Sequence, residues 1–279
     1  STRVRSAAAS DVYKRQAINM IGAVPSDTVI LLHICWKDIT PNLICAFERR
    51  DSMQICAVVA AAGLSSRMGA FKPLLPIDGQ PAIIRLLHTL HEAGVSKTIL
   101  VTGFRHNDLL RVCRCLHDVM LVHNPDFAHT QMFDSMRLGL AAVPSSYSRI
   151  LLTPADIPLV SRQTVYALAH TAAPLVYPSY LRRCGHPISL NFALLPSLLH
   201  YDGGNGLKGA LRALPVQPVY YTVNDPFIRM DIDTPADYHV LLHRKQAFKK
   251  EDHYDAQAQY VELSQLAAKA EYSAQLFDL

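Results

Sequence analysis

Apolar and polar positions alternate regularly along the chain from residue 54 onward. Residues 55–61 form a continuous apolar run rich in Val and Ala, which is typical of a strand that is buried on both faces. Apolar residues then recur at helical spacing over 81–93, with Pro81 near the first turn and Gly94 as a C-terminal stop. The pattern therefore predicts a buried strand, a loop over 63–72 and an amphipathic helix.

The same alternation continues as far as residue 170. It predicts further elements at regular intervals: strands over 98–102, 120–123 and 149–153, and helices over 107–116, 131–143 and 162–170. Strands that alternate with helices in this way favour a parallel sheet with helices on both of its faces. We therefore predict an α/β fold with a mostly parallel sheet.

Beyond residue 174 the order of the elements changes. The pattern predicts two short strands, at 175–177 and 188–190, on either side of a polar turn at 182–186. It then predicts two helices, over 192–199 and 207–214, a strand over 219–222 and a final helix over 233–243. We interpret this stretch as a late antiparallel insertion in the sheet. Such an insertion is a natural place for a lid that binds a second substrate.

The two ends of the chain lack this pattern. Residues 1–16 are rich in Ala, Ser and Arg without periodicity, and the apolar pieces that follow them up to residue 52 have no turn signals that link them to the rest. We expect residues 1–52 to be a flexible or non-native extension, with Met53 as a sensible native start. The domain is predicted over 53–244, and 245–279 is predicted to be a polar helical extension.

Charge and cysteine content narrow the class of protein. The 27 basic and 23 acidic residues give a net charge of +4 and are scattered without a block of like charge, so nucleic acid is not an expected partner. The apolar stretch at 29–35 is too short to span a bilayer, and no membrane partner is expected. The six cysteines lack the paired spacing of a zinc site, so we expect reduced thiols in a cytoplasmic protein.

The loop after the first strand combines small residues with two cations. The small residues are Ala61, Ala62, Gly63, Ser65, Ser66 and Gly69. Small residues let backbone N–H groups approach a triphosphate closely, and Arg67 and Lys72 can neutralise its β- and γ-phosphates. The glycine spacing fits neither the P-loop nor the dinucleotide-binding motif. The alternative is an ordinary strand–loop–helix turn with two solvated cations.

Carboxylates follow two further extended segments. Asp156 comes shortly after the predicted strand 149–153, at the edge where open α/β sheets place their chemistry, and a carboxylate there is suited to Mg²⁺. Alternation puts Asp231 and Asp233 on the same side of an extended segment. The alternatives are a turn-capping role for Asp156 and a helix N-cap role for Asp233 or Thr234.

The run AAGLSSRMGAFKPLLPIDGQP at 61–81 resembles the signature loop of the MobA/MocA-like nucleotidyltransferases. The resemblance covers roughly residues 54–243. It implies a Rossmann-like GT-A type fold, an NTP bound at this loop and the release of pyrophosphate. It also implies that Asp233, or otherwise Asp231, completes a metal site opposite Asp156. The chain departs from the family at Ala155, where a glycine usually precedes the aspartate.

Two segments resemble the parts of the family that determine specificity. Ser135 and Gly139 match the helix start that reads the nucleotide base, whereas Phe133 and Asp134 do not, and a plain amphipathic helix is the alternative. A second segment resembles the Gly-His-Pro element on the acceptor side; its candidate acceptor-binding residues are Arg182, Arg183, Gly185 and His186. A purely structural role is the alternative for the histidine.

The resemblance implies an enzyme that moves a nucleoside monophosphate from an NTP to a phosphorylated small molecule with Mg²⁺. The Ala-Ala-Gly loop at 61–63 is similar to that of the CTP users of the family, so CTP is the expected nucleotide and a molybdopterin-type cofactor the expected acceptor. The alternatives are a guanylyl- or sugar-phosphate nucleotidyltransferase and a non-catalytic module that binds and delivers the cofactor. A molybdoenzyme or its chaperone is the expected protein partner.

Overall fold

A computed structural model describes residues 53–248 of the chain. Ten strands were found: β1 (Ile55–Ala61), β2 (Pro76–Ile77), β3 (Gln80–Pro81), β4 (Lys97–Thr102), β5 (Val119–His123), β6 (Arg149–Pro154), β7 (Leu175–Tyr180), β8 (Arg183–Cys184), β9 (Ile188–Asn191) and β10 (Val219–Thr222). The helices are α1 (Ala82–Glu92), α2 (His106–Cys113), α3 (Met132–Ala141), α4 (Arg162–Ala169), α5 (Leu195–Leu199), α6 (Gly206–Arg212) and α7 (235–248). Three short 3₁₀ turns, Lys72–Leu74, Phe192–Leu194 and Pro226–Arg229, complete the set in this range.

The main sheet has the strand order β10-β7-β9-β6-β1-β4-β5, and β8 pairs with β7. The central strands β6, β1, β4 and β5 run parallel to one another, whereas β9 is antiparallel to both β6 and β7. The predicted α/β fold with a mostly parallel sheet and a late antiparallel insertion is therefore confirmed. Because β1 has β4 on one side and β6 on the other, the order of the parallel strands reverses at β1.

Each face of the sheet carries its own hydrophobic core, because the side chains of β1 alternate between the two faces. Ile55, Ala57 and Val59 pack with residues of α1 and α4. Cys56 and Val58 pack on the other face with residues of α3, α5 and α6. The continuous apolar run of β1 is thus explained by burial on both faces, as predicted.

Several ends of elements differ from the predicted ones. The predicted helix over 192–199 is divided into a 3₁₀ turn and α5, because Pro196 has no backbone N–H to continue the helical hydrogen bonds across the junction. Strand β8 was not predicted, because two residues carry no periodicity. The last helix begins at 235 and continues past 244 to 248. The predictions for 1–52 and for the rest of the C-terminal extension lie outside the described residues.

Within residues 53–248, no helix combines the length and the apolar character that crossing a membrane requires.

Candidate active site

The carboxyl ends of β1 and β6 lie side by side where the strand order of the parallel sheet reverses. Crevices at such reversal points are where open α/β sheets bind their ligands. The small-residue loop leaves the sheet from β1, and Asp156 follows β6 by two residues. The loop and Asp156 therefore meet at this edge because of the topology.

The loop after β1 is held in a folded conformation by its own backbone. Ser65 and Gly69 both have left-handed backbone angles, with φ of 55° and 69°. The Ser65 hydroxyl accepts a hydrogen bond from the backbone N–H of Lys72 at 3.2 Å, and Met68 and Phe71 are buried. A methyl group placed on Gly63 would meet no atom within 4 Å. The loop is thus anchored at its second half and open at Gly63.

Both loop cations form ion pairs with Asp233, although each is separated from Asp233 by more than 160 residues in the sequence. Lys72 Nζ lies 2.6 Å from Asp233 Oδ1, and Arg67 Nη2 lies 2.8 Å from Asp233 Oδ2. The hydrogen bond from Lys72, followed by the charges of Lys72 and Arg67, lowers the pKa of Asp233 below its usual value against the opposing effect of desolvation. The loop and the segment at 231–233 therefore form one charged cluster.

The Asp156 carboxylate faces this cluster and is incompletely satisfied. Its Oδ1 atom is fully buried and has no hydrogen-bond partner. Burial raises the pKa of Asp156 to about 6, the Lys72 charge opposes that shift, and Asp231 and Asp233 add to it. The backbone N–H of Ile232 donates to the Asp156 carbonyl oxygen at 3.0 Å, so the two acidic segments are joined through their backbones.

The helix-capping alternative applies to Thr234 and not to Asp233. The Thr234 hydroxyl accepts a hydrogen bond from the backbone N–H of Asp237 at 3.3 Å, while the Asp237 carboxylate accepts from the backbone N–H of Thr234 at 2.8 Å. This reciprocal arrangement begins α7. Asp233 is left free of the helix end, and its carboxylate turns to the loop cations.

A cleft of about 600 Å³ opens beside Asp156, and we call it the active-site cleft. Gly185 and His186 line it, together with Asp231. Two cations that sequence reasoning missed, Lys208 and Arg229, also line it. Among residues 53–248, no group of three or more His, Cys, Asp or Glu side chains is arranged to hold a metal ion. An ion bound at Asp156 would therefore need oxygen ligands from the substrates in addition to those from side chains.

Arg182 and Arg183 do not line the active-site cleft, contrary to the predicted grouping of the acceptor residues. Leu181 and Arg182 have φ of 48° and 63° and join β7 to β8 as a two-residue hairpin. Arg182 therefore lies in the turn and Arg183 begins β8, and both side chains are exposed. Arg183 instead lines a separate pocket of about 270 Å³ with Arg229 and Arg244.

Gly185 and His186 are fixed against the 3₁₀ turn Pro226–Arg229. A methyl group on Gly185 would lie 2.2 Å from the Ile228 carbonyl oxygen, so only glycine fits. The backbone N–H of His186 donates to that same oxygen at 2.8 Å. Burial lowers the pKa of His186, and the Leu152 carbonyl and the Asp231 charge oppose the shift. The imidazole is consequently neutral near pH 7.

Ser135 and Gly139 occupy packed positions in α3. The Ser135 hydroxyl is buried and accepts a hydrogen bond from Asn124 Nδ2 at 2.9 Å. A methyl group on Gly139 would lie 2.5 Å from Val101 Cγ2 and 2.6 Å from Val58 Cγ1, so the helix lies directly on the sheet there. The structure gives both residues a packing role, and contact with a nucleotide base stays a prediction.

Comparisons with known proteins identify the family to which the chain belongs. A family model of the MobA-like NTP transferase domain matches residues 57–219. The chain is 29% identical over 189 residues to the molybdenum cofactor cytidylyltransferase of Escherichia coli (strain K12); the match covers 66% of this chain and 93% of that protein.

Solved structures with the same fold include a nucleotidyl transferase from Methanothermobacter thermautotroptrophicus, with a TM-score of 0.60 and 26% identity over 68% of this chain and 97% of that chain. They also include Rv0371c from Mycobacterium tuberculosis H37Rv in complex with manganese, with a TM-score of 0.55 and 26% identity over 68% and 98% of the two chains. With more than half of its length matched by the family model, the chain belongs to the MobA-like NTP transferase family.

Proposed function

We propose that this nucleotidyltransferase moves CMP from CTP to the phosphate of a molybdopterin-type acceptor and releases pyrophosphate. The observation that carries the proposal is that the unsatisfied Asp156 carboxylate borders two groups of cations. It faces the charged cluster that contains Arg67 and Lys72. It also lines the active-site cleft together with Lys208 and Arg229. Two phosphorylated substrates can thus bind close to one carboxylate.

The residues present fit a divalent metal ion at Asp156. A buried carboxylate oxygen without a partner is costly unless a cation binds it, and Mg²⁺ prefers one or two carboxylates together with phosphate oxygens. Asp156 would hold the ion, with Asp233 as the second ligand and Asp231 as the reserve. The bound ion would neutralise charge on the phosphates of CTP. The similarity to a protein solved with manganese supports a divalent-metal site.

The transfer step is a displacement at the α-phosphorus of CTP, and side chains of this chain would stabilise the leaving group. A phosphate oxygen of the acceptor attacks the α-phosphorus of CTP, and the bond from that phosphorus to the bridging oxygen of the pyrophosphate breaks. The nucleophile is already ionised at neutral pH, so no general base is needed, and a neutral His186 is compatible with that. Arg67 and Lys72 would bind the β- and γ-phosphates and stabilise the charge of the leaving pyrophosphate.

The experiment is a comparison of pyrophosphate release with each of the four NTPs, Mg²⁺ and a purified source of molybdopterin. We expect release with CTP that depends on the acceptor and that is lost in Asp156→Asn. Faster release with GTP would favour a guanylyltransferase. Release with a sugar phosphate in place of molybdopterin would favour a sugar-phosphate nucleotidyltransferase. Binding of the cofactor without release of pyrophosphate from any NTP would favour a delivery protein.

The same proposal places the protein in the cytoplasm, with a molybdoenzyme or its chaperone as the recipient of the product. Support for the compartment comes from the cysteines of the described range, Cys56, Cys113, Cys115 and Cys184, which are all free thiols, as is usual in a reducing environment. A molybdoenzyme or its chaperone is proposed as the recipient because a nucleotide-linked molybdopterin would be the product.

A further inference from the structure

A second groove, which we call the outer groove, adjoins the active-site cleft. It has a volume of about 530 Å³ and lies between α6, the segment 214–218 and the edge strand β10. The two spaces have four residues in common in their linings: Tyr177, Cys184, Lys208 and Leu211. A ligand of moderate length could therefore occupy both at once.

The outer groove has an aromatic wall. Tyr177 and Tyr220 lie directly opposite each other on the neighbouring strands β7 and β10, and their ring centroids are 5.9 Å apart at an interplanar angle of 27°. Tyr220 is 61% exposed, although it is a large aromatic residue. Exposed aromatic rings beside a groove are a common surface for binding planar ring systems.

The charge of the outer groove is entirely positive. Lys208 and Arg212 are one turn apart on α6 and both line it. Among the described residues that form its lining, there is no Asp or Glu, while Gln217 adds an amide. The groove therefore favours a ligand that is planar, polar at its edges and anionic.

We propose that the acceptor lies across both spaces, with its phosphate beside Lys208 in the active-site cleft and its planar ring system against Tyr220 and Tyr177 in the outer groove. This inference rests on the proposed function and specifies the acceptor as a phosphate ester of a planar heteroaromatic ring. Lys208 lines both spaces and would fix the position of the phosphate relative to Asp156.

The test uses 6-hydroxymethylpterin phosphate and its phosphate-free alcohol as fluorescent probes, without nucleotide. Tyr220→Ala should weaken binding of both probes about tenfold, because both carry the ring. Lys208→Ala should weaken only the phosphorylated probe, also about tenfold. Tyr221→Ala, the next residue on β10, and Arg114→Ala, an exposed cation at the end of α2, are the matched controls because neither lines the two spaces.

A second measurement uses Cys184, an exposed thiol in the common lining. Saturating probe should slow its reaction with a maleimide at least tenfold, while Cys115, which lies elsewhere, keeps its rate; peptide mapping distinguishes the two thiols. No saturable binding to the wild-type protein, or equal binding by Tyr220→Ala and Tyr221→Ala, would overturn the inference.

Failure of the groove assignment and failure of the proposed CMP transfer can be distinguished. If the groove assignment holds and CMP transfer fails, probe binding still depends on Tyr220 and no pyrophosphate is released with CTP. If CMP transfer occurs and the assignment is wrong, the Michaelis constant for the acceptor is the same in Tyr220→Ala, Lys208→Ala and the wild-type protein.

Discussion

Replacing Lys72 by alanine removes the less exposed of the two loop cations and should reduce turnover more than it weakens CTP binding. The Lys72 side chain is 14% exposed and that of Arg67 is 69% exposed. Because a charge acts more strongly where water is excluded, the Lys72 contact should be the larger one. Negative charge builds up on the pyrophosphate as the bond breaks, so the loss should fall mainly on kcat.

The expected magnitude follows from these exposures. Loss of one preorganised contact in a desolvated site costs about 3 kcal/mol in the transition state, which is roughly a 100-fold fall in kcat for Lys72→Ala. For Arg67→Ala, solvent screening reduces the loss to about 1 kcal/mol, or roughly fivefold. The effect on unfolding should be small for both variants, at most about 1 kcal/mol, because Asp233 keeps the other cation as its partner in each variant.

The assay is steady-state pyrophosphate release over a range of CTP concentrations, with thermal unfolding as the check on folding. Lys97→Ala is the matched control, because Lys97 lies at the amino end of β4, away from the ligand-binding edge of the sheet. Equal losses in Lys72→Ala and Arg67→Ala would refute the argument from exposure. Unchanged kinetics in both variants would show that the loop does not bind the phosphates.

Two further predictions concern the buried carboxylate and the packed helix. Burial raises the pKa of Asp156 to about 6. Between about pH 4 and pH 6, the Asp156 carboxyl is therefore protonated in the native protein and ionised in the unfolded chain. As the pH rises through this range, folding stability falls, by up to about 3 kcal/mol above pH 6. In the absence of divalent ions, Asp156→Asn should therefore raise the melting temperature at about pH 7.5 and should raise it much less at about pH 4.5; an equal change at the two pH values would contradict the assigned pKa. Gly139→Ala should lower the free energy of unfolding by about 1–3 kcal/mol, because the added methyl group meets Val58 and Val101; a loss of CTP affinity with unchanged unfolding would instead support base contact at this position.

The candidate active-site edge of the sheet could be predicted from the sequence because its signals are local. The loop after β1 follows an apolar run, and Asp156 follows another strand within two residues, so the α/β topology alone brings them to one edge. The site role of Asp233 rested on the resemblance as well, since an aspartate before Thr-Pro fits a helix cap equally well. The hydrogen bonds of Thr234 show that Thr234 caps the helix, and metal binding by Asp233 stays a prediction.

The residues that line the active-site cleft next to Gly185 could not be predicted in the same way. The sequence predicts Arg182 and Arg183 there because they precede Gly185, yet Arg182 lies in a two-residue turn with left-handed backbone angles, Arg183 begins β8, and both are exposed. Lys208 and Arg229 line the cleft instead, and nothing in their local sequence distinguishes them from other surface cations. Their placement depends on how α6 and the 3₁₀ turn Pro226–Arg229 pack against the sheet, which is a property of the tertiary structure.

If Asp233 holds a divalent ion as proposed, its double ion pair would make the affinities of the site for cations and for anions interdependent. The ion would compete with Lys72 and Arg67 for the two oxygens of Asp233, and it would leave two positive charges without their partner. A triphosphate bound to those two cations would likewise leave the carboxylate unpaired. Each ligand would therefore strengthen the binding of the other, and thermodynamic linkage requires the two enhancements to be equal.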